Sequence, residues 1–387
     1  MNGTKDDKSE SLPMLAQSEL TIGSAVGQGG FSLVCKVDKI ELEEVYDTSE
    51  LGAKLRSDFA ASLQENHYVL KTLRPDLPEE EYIKGIVDLA IEAEFLSVLS
   101  HPNIISMRAM ANSDPYESRF FVVLDRLVTT LDRKFNQWRK DVGDNTGYWF
   151  GPFGYCCSKP HFLYVTWLER LTAAKDIARA IEYLHHQQIC YRDLKPDNLG
   201  FDANGTLKLF DFGLAKRMDP TDKIENGLYL LTGNTGSLRY MAPEVARGDP
   251  YDQRVDTYSF GILFWQICSL QTPFAGMTTK SHAEHVVRKG QRPTPDKSWP
   301  LIWVDIMSRC WDSDMTQRPD FEEIASFLMQ QIEDMENNDG EVPNRTTDIK
   351  AQKRVKPVAT QRLDVDTRIS TVDDDAPNVK QFEQEVV

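Results

Sequence analysis

The chain reads as an α+β protein of two lobes, a small β-rich lobe with one main helix followed by a larger helical lobe. Three observations predict this. Apolar, β-rich runs at 20–37, 67–74 and Phe120–Leu124 have the composition of strands, and a 3.6-residue apolar period over 79–99 separates the second from the third. After residue 126 helical periodicity takes over, most cleanly in Leu168, Leu171, Ala174, Ile177, Ile181 and Leu184.

Taken in order, residues 1–19 are mostly polar and are expected to be a mobile tail. The first lobe covers 20–125; its helix places Ile83, Ile86, Val87, Ile91, Phe95 and Leu99 on one face. The second lobe covers 126–337. Two stretches, 38–66 and 136–162, interrupt the pattern and are expected as surface insertions. In the second, Cys156-Cys157 lies amid Tyr148, Trp149, Phe150, Phe153 and Tyr155, which predicts that it folds back onto the body. Residues 338–387 lose the apolar period, run from basic to acidic, and are expected to be disordered.

Composition narrows the function. The 387 residues suit one large or two modest units, and 41% hydrophobic content is enough for a sizeable core. A net charge of −16 argues against nucleic-acid or anionic-membrane partners. The six cysteines are scattered without a Cys-x-x-Cys pair, so neither a zinc site nor a disulfide framework is expected, and reduced thiols point to the cytoplasm or nucleus. The start MNGTKDDKSE is no secretory signal, and the longest apolar stretch, Tyr258–Leu270, is too short to span a bilayer and reads as a buried helix. Oligomeric state is not legible.

The chemistry concentrates in residues 191–213, YRDLKPDNLGFDANGTLKLFDFG. Asn204-Gly205 is a hairpin turn signal between apolar strands. Asn198 lies six residues before Asn204 and Asp211 six after Gly205, so a regular two-residue turn sets them opposite each other. An amide oxygen and a carboxylate so placed are ligands suited to Mg²⁺. Asp193 and Lys195, in a loop broken by Pro196, add a base and a cation.

This segment resembles the catalytic loop and Asp-Phe-Gly motif of eukaryotic protein kinases, and the resemblance extends over roughly 20–333. It implies the two-lobed protein kinase fold and ATP and Mg²⁺ as cofactors. By resemblance, Asp193 orients the substrate hydroxyl, Lys195 stabilises the transferring phosphate, and Asn198 and Asp211 hold metal. Tyr191, where a histidine is usual, is expected to pack on Phe212. Gly27, Gln28, Gly29 and Gly30, followed by Val34, resemble the glycine-rich loop, with Ser32 in place of a third glycine.

Lys71, in a strand with Val69, matches the phosphate-binding lysine, and Glu92 matches its partner; Glu94 faces elsewhere, roughly 200° around the helix. Leu96 is expected to pack toward Phe212. Leu124 matches the gatekeeper, with Asp125, Arg126 and Leu127 as hinge, while Gly200 replaces a bulky floor residue and implies a looser adenine pocket. The segment Asp211–Glu244, including Phe212 and Gly213, is the activation segment by resemblance. Arg192 is the residue that reads a phosphate on it, with Thr221, Tyr229, Thr232 and Thr235 as candidates.

Lys195 and Ser237 imply serine/threonine chemistry on protein substrates, whereas CWDSDMTQRPDFEEI at 310–324 has the form found in the tyrosine-kinase-like group. Glu244–Arg318 and Asp256 are expected as buried structural braces. The alternative is a pseudokinase, a scaffold that retains the fold without turnover. A dinucleotide-binding reading fails because Phe31-Ser32-Leu33-Val34-Cys35 after the glycines reads as a strand, not a helix.

Overall fold

Strands in the first lobe form where the apolar runs predict them. In the computed structural model, which describes residues 12–43, 50–63, 67–143, 148–150, 156–225 and 227–337, they make a six-stranded sheet. The expectations for residues 1–11 and 338–387 lie outside the described residues.

The strands are β1 (Met14–Leu15), β2 (Leu20–Gln28), β3 (Ser32–Ile40), β4 (Tyr68–Leu73), β5 (Met107–Ala111) and β6 (Phe121–Asp125), in the spatial order β1-β5-β6-β4-β3-β2. The central strands β4 and β6 are buried along most of their length, which explains their nearly unbroken apolar runs.

Two expectations for this lobe are corrected. Residues 12–19 are not tail: Leu15 is fully buried, and the Met110 and Asn112 N–H groups donate to the Pro13 and Leu15 carbonyls at 3.1 and 2.8 Å. This short parallel strand covers the β5 edge, leaving fewer unpaired backbone groups there. The stretch 38–66, expected as a surface insertion, is not all surface: it extends β3 and holds helix α1 (Glu50–Ser62), which buries Arg56 and Phe59.

Phe59 of α1 packs on Tyr68 with ring centroids 5.0 Å apart, and Ser62 Oγ lies 2.8 Å from Tyr68 Oη. Arg56 forms a buried ion pair with Glu19, whose carboxylate also accepts from the Glu43 and Ala16 N–H groups at 2.7 and 2.8 Å.

Helix α2 (Glu79–Val98) falls where expected but presents a different face. Gly85, Leu89, Glu92, Phe95 and Leu96 point inward, whereas Ile83 and Val87 are 59% and 41% exposed. The helix is turned so that the charged Glu92 faces the cleft, and hydrophobic periodicity alone cannot report that demand.

The second lobe begins with β7 (Thr129–Thr130) and α3 (Leu131–Gly143). Phe135 and Trp138 are fully buried, so the interruption placed at 136–162 starts within a core helix. Strands β8 (Tyr148–Phe150) and β9 (Cys156–Ser158) pair as an antiparallel hairpin. The side-chain packing expected of Cys156, Cys157 and their aromatic neighbours lies outside the described residues.

Helix α4 (Lys159–His186) buries the predicted stripe, with Leu171, Ala174, Ile177, Ile181 and Leu184 fully inaccessible. It is followed by β10 (Ile189–Cys190), β11 (Leu199–Phe201), β12 (Leu207–Leu209) and β13 (Lys216–Arg217). Then come α5 (Pro243–Arg247), α6 (Arg254–Ser269), α7 (Thr279–His282), α8 (Leu301–Cys310) and α9 (Phe321–Asn337).

Helix α6 carries the apolar stretch, is buried along nearly its whole length, and packs against α4 and α8. Among the described residues no helix is long and apolar enough to cross a membrane. Arg318 holds Glu244 through two bonds of 2.6 and 3.1 Å, a buried bidentate pair that fixes α5 to the segment before α9.

Candidate active site

The hairpin that was expected to set Asn198 opposite Asp211 is one residue out of that register. Leu199 pairs with Leu209, and the Phe210 N–H donates to the Asn198 carbonyl at 3.1 Å, so Asn198 faces Phe210. The turn is the cause. Asp202 Oδ1 accepts from the Asn204 and Thr206 N–H groups, and Gly205 takes φ 79°, giving a three-residue loop in place of a two-residue turn.

Asp211 therefore lies just beyond the ladder, at φ 67°, a left-handed conformation uncommon for a residue with a side chain. Its carboxylate reaches Lys71 in the other lobe at 3.1 Å.

Lys71 is the junction of the cleft. Its Nζ lies 2.5 Å from Glu92 Oε2, and both side chains are largely buried. Burial works against the ammonium charge, but Glu92 and Asp211 outweigh it and hold the Lys71 pKa above its ordinary value. Lys71 in turn lowers the pKa of Asp211, keeping it ionised. Glu94 is exposed, as expected.

In the catalytic loop, Asp193 accepts from Lys195 Nζ at 2.7 Å, Asn198 Nδ2 at 2.9 Å and Ser237 Oγ at 2.9 Å. Asn198 Nδ2 also donates to the Asp193 carbonyl at 3.0 Å. With its nitrogen used inside the loop, the oxygen of Asn198 is the atom available to a cation, as a Mg²⁺ ligand requires. Asp211 likewise has one oxygen on Lys71 and one to spare.

Asp256 braces this loop by accepting from the Tyr191 and Arg192 N–H groups, each at 2.8 Å. His185 Nε2, at 2.9 Å, is a third partner that sequence reasoning missed.

Tyr191 meets Phe212 edge-on at 5.4 Å, as predicted, and Phe95 of α2 adds a tilted ring at 6.4 Å; Leu96 is buried in the same core. Gly213 sits tightly under α2, where a Cβ would lie 3.0 Å from Asp88 Cβ. Asp88 is a carboxylate in the cleft that sequence reasoning also missed. Its signal was its position one turn before Glu92 on the same helix face.

Between the lobes lies a cavity of about 220 Å³ lined by Gly29, Gly30, Lys71, Glu92, Asp193 and Asp211, among others. Gly27 and Gln28 pair with Val34 and Leu33 in the hairpin that carries the glycines to it. Val69 and Leu124 are buried and pair across β4 and β6. Asp125, expected at the nucleotide, commits its carboxylate to Arg108 through two 2.7 Å bonds, so its side chain serves the sheet.

The looser floor expected at Gly200 is overturned. A Cβ at Gly200 would lie 2.7 Å from Leu127 Cδ1 and 3.0 Å from the Thr129 carbonyl, so Leu127 occupies the space the missing side chain leaves.

Arg192, also left-handed at φ 69°, donates to the Leu214 carbonyl at 2.7 Å and to Thr232 Oγ1 at 3.1 Å. Of the other candidates, Tyr229 is buried, Thr221 helps cap a short turn with Asp219, and Thr235 donates to the Thr232 carbonyl.

Comparison with known proteins agrees with this geometry. The chain is 40% identical over 157 residues to the serine/threonine-protein kinase STY46 of Arabidopsis thaliana, covering 41% of this chain and 26% of that protein. It is 31% identical over 254 residues to the serine/threonine/tyrosine-protein kinase HT1 of the same plant, covering 66% and 57%. The dual specificity protein kinase shkB of Dictyostelium discoideum is 37% identical over 164 residues, covering 42% and 24%. The chain thus spans between about a quarter and somewhat over half the length of these relatives.

These relatives agree with the tyrosine-kinase-like resemblance of 310–324. Residues 58–328 match the protein kinase domain, and the glycine-rich hairpin that precedes the match is joined to it by the pairing of β3 with β4. The chain belongs to the protein kinase family.

Proposed function

We propose that this chain is a Mg²⁺- and ATP-dependent protein kinase that transfers the γ-phosphoryl group to serine and threonine hydroxyls of protein substrates. The observation that carries this reading is Lys71 held between Glu92 and Asp211, at 2.5 and 3.1 Å, facing the base Asp193 across one cavity.

Asp193 orients the attacking hydroxyl and accepts its proton, and Ser237 and Asn198 fix the carboxylate for that task. Lys195 neutralises charge on the phosphoryl group in flight, and Lys71 holds the phosphates that stay behind. Asn198 and Asp211 would hold Mg²⁺, which would supply neutralisation of phosphate charge. Gly27 to Gly30 bring the loop backbone close to the phosphates, and Val34, Val69, Leu124, the Asp125 backbone and Leu127 enclose the base.

Arg192 reads a phosphate placed on Thr232, whose hydroxyl it already contacts, while Thr235, Phe212 and Gly213 set the path of the segment. The four described cysteines that are free and buried suit a reducing compartment, the cytoplasm or nucleus. A pseudokinase reading finds no support, since Lys71, Asp193, Asn198 and Asp211 are all present and connected.

Incubation with Mg²⁺ and γ-labelled ATP and a generic protein substrate, followed by phosphoamino-acid analysis, tests the proposal. Phosphoserine and phosphothreonine are expected. A product dominated by phosphotyrosine contradicts the assigned specificity.

A further inference from the structure

Helix α2 carries a glycine, Gly85, in its buried interior, although glycine there costs about 1 kcal/mol relative to alanine. Its reason is a close approach. A Cβ at Gly85 would lie 2.8 Å from Phe31 Cβ, 2.9 Å from Leu73 Cδ2 and 3.4 Å from Phe31 Cγ.

Phe31 is the tip of the glycine-rich loop. That tip is also pinned through its backbone: the Gly29 N–H donates to the Ser32 carbonyl at 2.8 Å, the Arg74 N–H to the Phe31 carbonyl at 3.0 Å, and Arg74 Nη1 to the Gly30 carbonyl at 3.2 Å. The loop is therefore seated against the helix that bears Glu92.

Gly85 and Glu92 are seven residues apart, which at roughly 100° per residue puts them on one stripe of α2, two turns apart. One end of the stripe receives Phe31 and the other pairs with Lys71. Both ends line the same cavity of about 220 Å³. An outward swing of α2 that separates Glu92 from Lys71 also withdraws the surface on which Phe31 rests. A lifted loop tip removes one of the contacts that hold α2 inward.

We propose that Gly85 is the seat of Phe31, and that this contact positions the glycine-rich loop over the nucleotide phosphates and couples it to the Lys71–Glu92 pair. The seat itself is a property of the fold. Its effect on nucleotide rests on the kinase reading above. Phe31 and Gly85 are positioning residues, not catalytic ones.

The test has two arms on the full chain. In the first, amide hydrogen exchange across residues 84–92 is compared without nucleotide between the wild-type protein, Phe31→Ala and Gly85→Ala. Faster exchange in both variants, by about threefold or more, is expected. Exchange unchanged from wild type in both variants overturns the seat.

In the second arm, each single variant raises the KM for ATP about threefold to tenfold, with a smaller change in kcat, and the double variant is no worse than the weaker single. Effects that multiply in the double variant overturn the coupling. If wild type transfers no phosphate while the exchange arm responds as expected, the seat stands and only the kinase reading falls.

Discussion

Removing the positive charge at Lys71 is expected to destabilise the protein more than removing the negative charge at Glu92. Glu92 is 1% exposed and its salt-bridge partner is Lys71, so Lys71→Met strands a buried carboxylate. Breaking a buried pair in this way costs about 3–5 kcal/mol. Glu92→Leu leaves Lys71 with Asp211 at 3.1 Å, whose side chain is 45% exposed and shares its charge with water, so a smaller loss of about 2 kcal/mol is expected.

The double variant Lys71→Met/Glu92→Leu removes both charges and refills the space with apolar atoms. Its expected loss of about 1–2 kcal/mol is well below the sum of the single losses. Burial pushes the Glu92 carboxyl up, against the pull of Lys71, so without that lysine the protonated form is favoured further. The Lys71→Met defect should then be small in acid and grow as pH rises above the ordinary carboxylate range. Urea midpoints of the four proteins, read at acidic and neutral pH, give the cycle. Additive single losses would refute the account of a buried, mutually dependent pair.

Three further outcomes follow from contacts described above. Gly200→Leu alone should raise the KM for ATP by about tenfold or more by colliding with Leu127, and adding Leu127→Ala should recover most of it, measured by steady-state kinetics at varied ATP. Glu19→Ala should lower stability by about 3 kcal/mol by taking the carboxylate out of the buried Arg56–Glu19 pair, with Arg56→Met/Glu19→Leu recovering much of the loss in urea unfolding. Burial, aided by the Asp211 charge, pushes Asp88 up to about 6, so its contribution to stability is present below the ordinary carboxylate pKa and lost as pH rises through about 6. Asp88→Asn should therefore raise the melting temperature of the nucleotide- and metal-free protein near pH 8 and by much less near pH 4; an equal gain at both would contradict this.

What the sequence made legible was what short-range chemistry sets. The spacing of Asp193, Lys195 and Asn198 defines one loop, and Leu171, Ala174, Ile177 and Ile181 are buried on one helix stripe as their period requires. Legibility ended where a residue answers to a distant partner. The face of α2 is chosen by Lys71, a strand away, so Ile83 and Val87 are exposed despite their period. Gly200 looked like lost bulk because Leu127, which fills it, is 73 residues distant.

Likewise the stretch 38–66 read as a surface insertion because Arg56 finds its carboxylate on Glu19, in what read as a tail. The hairpin register missed by one residue because the Asp202 side chain, rather than Asn204-Gly205 alone, decides the turn. Each of these misses concerns a contact made by one side chain, across a long stretch of sequence for Glu92, Gly200 and Arg56 and within the turn for Asp202, which neither composition nor period encodes.

The central claim, that Asp193 serves a phosphoryl-transfer site, is tested most directly by comparing γ-phosphate incorporation into a protein substrate by wild type and by Asp193→Asn. The amide keeps the size of the carboxylate but lacks its charge and basicity. Incorporation by wild type, reduced by about 10²-fold or more in the variant, is the predicted result. Equal incorporation by both proteins, or none by wild type, would contradict the account.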